Sequence, residues 1–172
     1  ADLRSTIDVP PFARSAMDGY AVVAADTSLA SPSTPVVLRL IDRIYTGSPS
    51  RTHVTTGACA EIATGAPLPA GADAVVMVEQ TAEASPDAIR IFAVARPGQN
   101  IGRQAADIAA GALVVRAADV LTPSRIGALA AVGCTDVVVY AKPRVAILST
   151  GNEVIAPGRP LAPGQIYDVN HF

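Results

Sequence analysis

Over the first hundred residues, short apolar segments alternate with clusters of turn-forming residues. Tyr20-Ala21-Val22-Val23 reads as a strand behind Asp18-Gly19, a strong turn signal because Gly accepts positive φ and Asp hydrogen-bonds its own backbone. Pro10 and Pro11 fix φ at the entry and exclude a helix there. The stretch from Pro11 to Val22 is therefore expected to form a hairpin that lifts Asp18 and Ser15 onto a stiff turn beside a sheet. Ser28 to Pro35 is a Ser/Pro-rich loop, and Val36 to Ile44 a strand with partial alternation that turns Arg39 and Arg43 outward. Tyr45 to Thr56 is loop by composition. Cys59 to Thr64 predicts a short strand that ends in Gly65-Ala66-Pro67-Leu68-Pro69-Ala70-Gly71. Ala74 to Glu79 predicts another, and Ser85-Pro86-Asp87 turns the chain into a further strand over Ile89 to Val94. Many short strands at this spacing predict an all-β unit of sandwich or barrel type.

The pattern changes after Asp107. Ala112 to Arg116 still suits a strand, but Thr122-Pro123 opens a helix, with Thr as N-cap and Pro at the first helical position. Ile126, Leu129 and Ala130 share one face at helical spacing, and Gly133 suits the left-handed residue that ends it. Val137 to Tyr140 predicts a strand. Arg144 to Thr150 is a nearly continuous apolar run of the buried parallel kind, ending in Ser149-Thr150-Gly151-Asn152-Glu153. Loops at the carboxyl ends of such strands are where α/β sheets place ligands, so a second, α/β domain is expected to begin near Val138. Gly164 to Asn170 reads as a loop leading into a helix, with Asp168 or Asn170 as cap. A first residue other than Met, and a chain that stops at Phe172 where that helix would start, suggest part of a longer protein.

Composition narrows the function. Of 172 residues, 50% are hydrophobic and only 4% aromatic, so a packed core is expected and rests on Val, Ile, Leu and Ala. A net charge of -2 provides no electrostatic footprint for nucleic acid or an anionic membrane. No apolar run is long enough to span a bilayer, and no basic leader precedes an apolar core. Cys59 and Cys134 lie far apart without a neighbouring Cys or His, which argues against a zinc site or disulfide framework and for reduced thiols in a cytoplasm. His53 and His171 likewise lack a second ligand at metal spacing, and suit solvated loops. Phosphate-loop, dinucleotide, zinc-protease and serine-hydrolase motifs are absent.

What remains is a set of polar residues at turns and strand ends. Asp18 and Ser15 flank the first turn. Thr64-Gly65-Ala66-Pro67 ends a strand with a hydroxyl and exposed N–H groups. Asp107 sits in a Gly- and Ala-rich stretch, and Glu153 follows Gly151-Asn152, where an acid beside free N–H groups suits a hydrated cation or a phosphate ester. Each has an ordinary structural reading when taken alone: turn, loop start, surface acid or strand end.

Together they are more specific. Ser15-Ala16-Met17-Asp18-Gly19-Tyr20-Ala21, the strand-and-loop I-A-T-G-A-P-L-P-A-G-A-D-A-V-V-M-V-E, G-Q-N-I followed by Asp107-Ile108-Ala109-Ala110-Gly111, P-R-V-A-I-L-S-T-G-N-E-V and G-Q-I-Y-D-V-N occur in order between Pro10 and Asn170. This series resembles the molybdopterin molybdenumtransferase family, of the MoeA and gephyrin E-domain type. The resemblance implies insertion of molybdenum from molybdate into adenylylated molybdopterin, with release of AMP and a requirement for a divalent cation such as Mg²⁺. It implies catalytic roles for Asp18, Thr64, Asp107 and Glu153, and substrate or cofactor contacts for Ser15, Ser149, Thr150 and Gly151; the ligands of the cation stay open. It further implies a homodimer whose active site lies between the α/β domain of one subunit and the β domain of the other. The family commonly carries Arg-x-x-Gly-Glu-Asp before the third acid, whereas Gly102-Arg103-Gln104-Ala105-Ala106-Asp107 here keeps one Arg and loses the Gly and Glu. Weaker anion contacts are expected there, because charge-assisted bonds to phosphate are the strong ones.

The expected architecture is mainly β. An elongated β domain over 5–111 is inserted in a small α+β connecting domain formed by 1–4 and 112–137, and 138–172 is the truncated start of an α/β molybdopterin-binding domain. The expected function is that of a cytoplasmic transferase in molybdenum cofactor biosynthesis, inactive in this piece alone because its α/β domain is incomplete. The alternative is a non-catalytic, gephyrin-like scaffold or interaction module.

Overall fold

The computed structural model describes residues 1–48 and 50–170. His171 and the helix expected to start beyond Asn170 lie outside the described residues. Unit one spans Ala1–Thr135 and unit two begins at Asp136. In chain order the first unit contains the strands Leu3–Arg4 (β1), Arg14–Ser15 (β2), Gly19–Val22 (β3), Val36–Ile44 (β4), Ala58–Ile62 (β5), Ala74–Met77 (β6), Thr81–Ser85 (β7), Ala88–Ile91 (β8), Ile101–Gly102 (β9) and Leu113–Val115 (β10), then the helix Pro123–Ala131 (α1). Unit two contains Val154–Ile155 (β11) and Ile166–Tyr167 (β12).

The mainly β expectation holds for the first unit, where six strands form one sheet in the order β6-β3-β5-β4-β8-β7. Only β4 and β5 run parallel. Adjacent residues of its central strands enter opposite cores. Val22, Cys59 and Val76 pack in one cluster, and Ala21, Ala60 and Val75 in another. A sheet buried on both faces needs no polar alternation, which explains the unbroken apolar runs in β3 and β6. In β4 both arginines face out as expected, and a register shift between Leu40 and Asp42 sends Leu38 and Ile44, which an unbroken strand would place on one face, into the two different cores.

Several expectations are corrected. The Pro11–Val22 stretch is not a hairpin: β2 pairs with β9, whereas β3 lies between β5 and β6. The Ser15 hydroxyl bonds the backbone of Met17 within the intervening turn, so the two strands diverge into different sheets. The strand from Ala74 stops at Met77 because Val78 N donates to Asp18 O (3.0 Å) and the chain bends into a single turn over Val78–Gln80. The strand expected over Ile89 to Val94 runs from Ala88 to Ile91 instead. The expected strands Val137–Tyr140 and Arg144–Thr150 do not form; Val138, Val145 and Leu148 are exposed. A strand of the buried kind needs neighbours on its edges and faces, and no described residue pairs with this stretch. Within residues 164–170, Ile166–Tyr167 (β12) pairs in parallel with β11.

Outside the large sheet, β1 pairs antiparallel with β10, joining Leu3 to Val115 across the intervening chain. Helix α1 begins and ends as expected: Thr122 accepts from Arg125 N, and Gly133 has φ +77. Of its apolar face only Leu129 is buried, whereas Ile126 and Ala130 are exposed.

Two backbone positions generate predictions. At Gly19 a Cβ would lie 1.9 Å from Val76 O, so Gly19→Ala forces the β3–β6 ladder apart and is expected to cost about 3 kcal/mol or more in denaturant unfolding. Ala105 holds φ +59 at the position where the family motif carries Gly. Ala105→Gly should therefore stabilise the chain by about 1 kcal/mol in the same measurement.

Candidate functional site

Asp18 is the last residue before β3, and Thr64 the second residue beyond β5. Because β3 and β5 are antiparallel neighbours, with Gly19 opposite Ile62, the two turns come together at one end of the sheet. They are stitched by backbone bonds: Gly65 N to Ser15 O (2.8 Å), Ser15 N to Ala66 O (3.0 Å) and Leu68 N to Ala13 O (2.9 Å). Within this frame Thr64 N donates to Asp18 Oδ1 at 2.7 Å. The Thr64 N–H, and then its hydroxyl against the same carboxylate, hold the Asp18 carboxyl below the ordinary aspartate range. The pair is solvent-facing, so Asp18 presents an ionised carboxylate that is already oriented.

The remaining sequence-predicted residues are distributed differently. Ser15 is buried at 1% exposure and its hydroxyl is engaged by Met17, which gives it a turn-fixing position beside Asp18. Asp107 is exposed, with its backbone N–H on Val9 O at 2.9 Å. Asp8 braces that loop from both sides: its carboxylate accepts from Ala110 N (2.8 Å) and Gln104 Nε2 (2.6 Å). These bonds, the backbone one first, lower the Asp8 pKa. Arg14 lies across Gly102, its Cγ 3.3 Å from where a Cβ would stand, so this glycine makes room for the Arg14 stem. Ser149, Thr150, Gly151 and Glu153 are exposed in the second unit. There Gly151 has φ +131, and a Cβ on it would meet both Glu153 carboxylate oxygens at 2.4 Å. Glycine at 151 thus lets the Glu153 carboxylate fold back over the loop.

Next to Asp18 the first unit has a depression of about 150 Å³, bounded by Tyr20, Tyr45, Glu61 and Val78 and floored by Ile44 and Ile62. Motif reading missed these residues, because they come from three strands and a turn with no shared spacing. No three His, Cys, Asp or Glu side chains among the described residues converge on a possible metal position. Asp18 is the oriented carboxylate in this part of the molecule that a largely hydrated cation could use. Cys59 and Cys134 are not disulfide-bonded, and burial pushes the Cys59 thiol up to about 12, which leaves it inert. No helix of the described residues is long and apolar enough to cross a membrane.

Comparison with known proteins decides the family. Residues 1–133 match the family model of the MoeA N-terminal region, domains I and II. The chain belongs to the MoeA family. It is 41% identical to molybdopterin molybdenumtransferase 2 of Mycobacterium tuberculosis over 169 residues, covering 98% of this chain and 42% of that protein. The molybdopterin molybdenumtransferase of Nostoc is 39% identical over 170 residues, 99% of this chain and 39% of the relative. A crystal structure of a molybdopterin biosynthesis MoeA protein from Pyrococcus horikoshii superposes with a TM-score of 0.81 at 43% identity, covering 98% of this chain and 43% of that one. The chain therefore spans about two-fifths of the MoeA relatives it matches.

The lowered carboxyl pKa values have a consequence for stability. Asp18, Asp8 and Asp42, the last through the Thr52 hydroxyl first, all titrate below the ordinary aspartate range in the folded chain. The folded chain then binds fewer protons than the unfolded one at acid pH, so their stabilisation is fully present above the unfolded pKa and lost as pH falls through the folded values. Melting temperature is expected to be flat near neutrality and to fall only in the acid carboxylate range, with a shallower fall in Asp42→Asn. A decline already evident between pH 7 and 6 would contradict this.

Proposed function

We propose that this chain is the N-terminal portion of a molybdopterin molybdenumtransferase, which inserts molybdenum from molybdate into adenylylated molybdopterin and releases AMP. The observation that carries the reading is the match over nearly the whole chain to relatives bearing that name, together with the Asp18–Thr64 bond that holds an ionised carboxylate at the site. In this reading 1–4 and 112–137 form the connecting domain, 5–111 the inserted β domain and 138–172 the start of the α/β domain. The enzyme is a cytoplasmic homodimer whose site is completed by the partner subunit.

The chemistry assigns work to each group. Molybdate loses oxo groups as protons arrive; carboxylates at Asp107 and Glu153 can relay those protons, while Asp18, held ionised, serves as an acceptor. Bound Mg²⁺ would neutralise the adenylate phosphate, with Asp18 as a carboxylate available to hold it. Thr64 orients Asp18 through its N–H and its hydroxyl, Ser15 fixes the turn that presents both, and Ser149, Thr150 and Gly151 offer hydroxyl and backbone donors to substrate oxyanions. Loss of the Gly and Glu before Asp107 reduces the polar groups there, while the Asp8 brace retains the loop. A gephyrin-like scaffold is the second reading, favoured only by that altered segment.

The test is molybdenum insertion by the full-length protein. Asp18→Asn is expected to lower kcat by about 10²-fold or more. Thr64→Ala should slow turnover with a nearly unchanged melting temperature, since Thr64 is exposed and its N–H remains. Insertion by Asp18→Asn within twofold of wild type would sink the catalytic assignment of Asp18, and a wild type that inserts no molybdenum would favour the scaffold.

A further inference from the structure

The depression beside Asp18 has a composition unlike that of a phosphate site. Its floor, Ile44 and Ile62, is apolar and its walls include two phenol rings. Tyr45 is 61% exposed and Val78 47%, so a large ring and an aliphatic group stand at its mouth without being covered by described residues. Its charged members are acidic: Asp18 and Glu61. The nearby cation, Arg43, is already committed, its Nε donating to Glu61 Oε2 at 2.8 Å. That bond fixes the Glu61 carboxylate at the edge and leaves Oε1 as an acceptor for a donor from outside.

These features select the occupant. The described lining offers a phosphate no cation, since Arg43 is spent on Glu61 and Asp18 is an acid, while apolar walls and free acceptor oxygens suit a flat, uncharged ring that carries amine or ring N–H donors. Size points the same way. Pockets that enclose a whole drug-sized ligand measure about 300–1,000 Å³, so 150 Å³ accommodates one ring system rather than a complete nucleotide. We propose that this depression seats the planar, amine-bearing heterocycle of the substrate, either its adenine or its pterin, with Tyr45 as the stacking wall and Glu61 as the acceptor for the ring amine. The inference rests on the transferase reading and deepens it. With the ring held here, the phosphate is directed away from the acidic edge, and Asp18 lies between ring and reacting centre. Tyr45 and Glu61 act in substrate binding, and take no part in the proton transfers assigned to Asp18.

The experiment uses the full-length protein. Tyr45→Ala is expected to raise KM for adenylylated molybdopterin about tenfold, the scale of losing one ring-on-aromatic stack, and to lower kcat much less. Tyr45→Phe, which keeps the ring, should restore binding. Tyr45 is exposed, so its truncation leaves the core untouched, and a matching melting temperature checks this. An unchanged KM in Tyr45→Ala overturns the proposal. If the wild type inserts no molybdenum, the transferase reading fails instead, and the depression is still tested by calorimetric titration with AMP and with neopterin. Weakening of AMP alone by Tyr45→Ala identifies adenine, and weakening of neopterin alone identifies the pterin. Equal affinity of both variants for both probes, or no saturable binding of either probe to wild type, overturns the assignment.

Discussion

The geometry of the site depends on a backbone contact that admits no side chain. β3 bonds on one edge to β5 and on the other to β6, and at its first residue the carbonyl of Val76 stands where any Cβ would be. Only glycine enters the sheet there, and the residue before it is Asp18. The carboxylate is thus set by the rigid end of a strand buried on both faces. The turn that carries it cannot relax without breaking ladder bonds, because Ser15, Ala13 and Asp18 each donate to or accept from a neighbouring loop. Stiffness of this kind lets a single exposed carboxylate be presented in a fixed orientation.

Much of this was legible in the sequence where chemistry is local. Thr122-Pro123 and Gly133 marked the helix ends, since caps act within one turn. Val36 to Ile44 announced β4, and Asp18-Gly19 announced a bend. What the sequence did not disclose is pairing. The Asp18-Gly19 bend suggested a hairpin, yet the partner of β3 is forty residues away, because small residues at Ala21 and Ala60 allow close packing with distant strands. β7 was missed because Thr81-Ala82-Glu83-Ala84-Ser85 has only two alanines on its apolar face and no β-branched or aromatic residue there. It is an edge strand held by β8, and edges need less burial. The apolar run from Arg144 to Thr150 failed in the opposite sense: composition suited a buried strand, but a strand exists only with its neighbours.

The site divides along the same line. Asp18 and Thr64 were visible as separate motifs, and their hydrogen bond follows from the β3–β5 register. The brace from Asp8 to Gln104 and Ala110 joins residues about a hundred positions apart, beyond any motif. The Tyr45 and Glu61 edge arises from the β4–β5 register, which sets Arg43 opposite Glu61 where β4 ends and Tyr45 follows. Motif reading pointed to Asp18 and Thr64 as separate pieces. Packing shows the bonds that hold them together and the depression beside them.

The central claim is that Thr64 holds Asp18 as an ionised, oriented carboxylate. The most direct measurement is a carbon-detected NMR titration of the Asp18 carboxyl in the folded protein. The account predicts a midpoint below the ordinary aspartate range, moving toward that range when the hydroxyl is removed in Thr64→Val. A midpoint at or above the ordinary range, or one indifferent to the substitution, would contradict it.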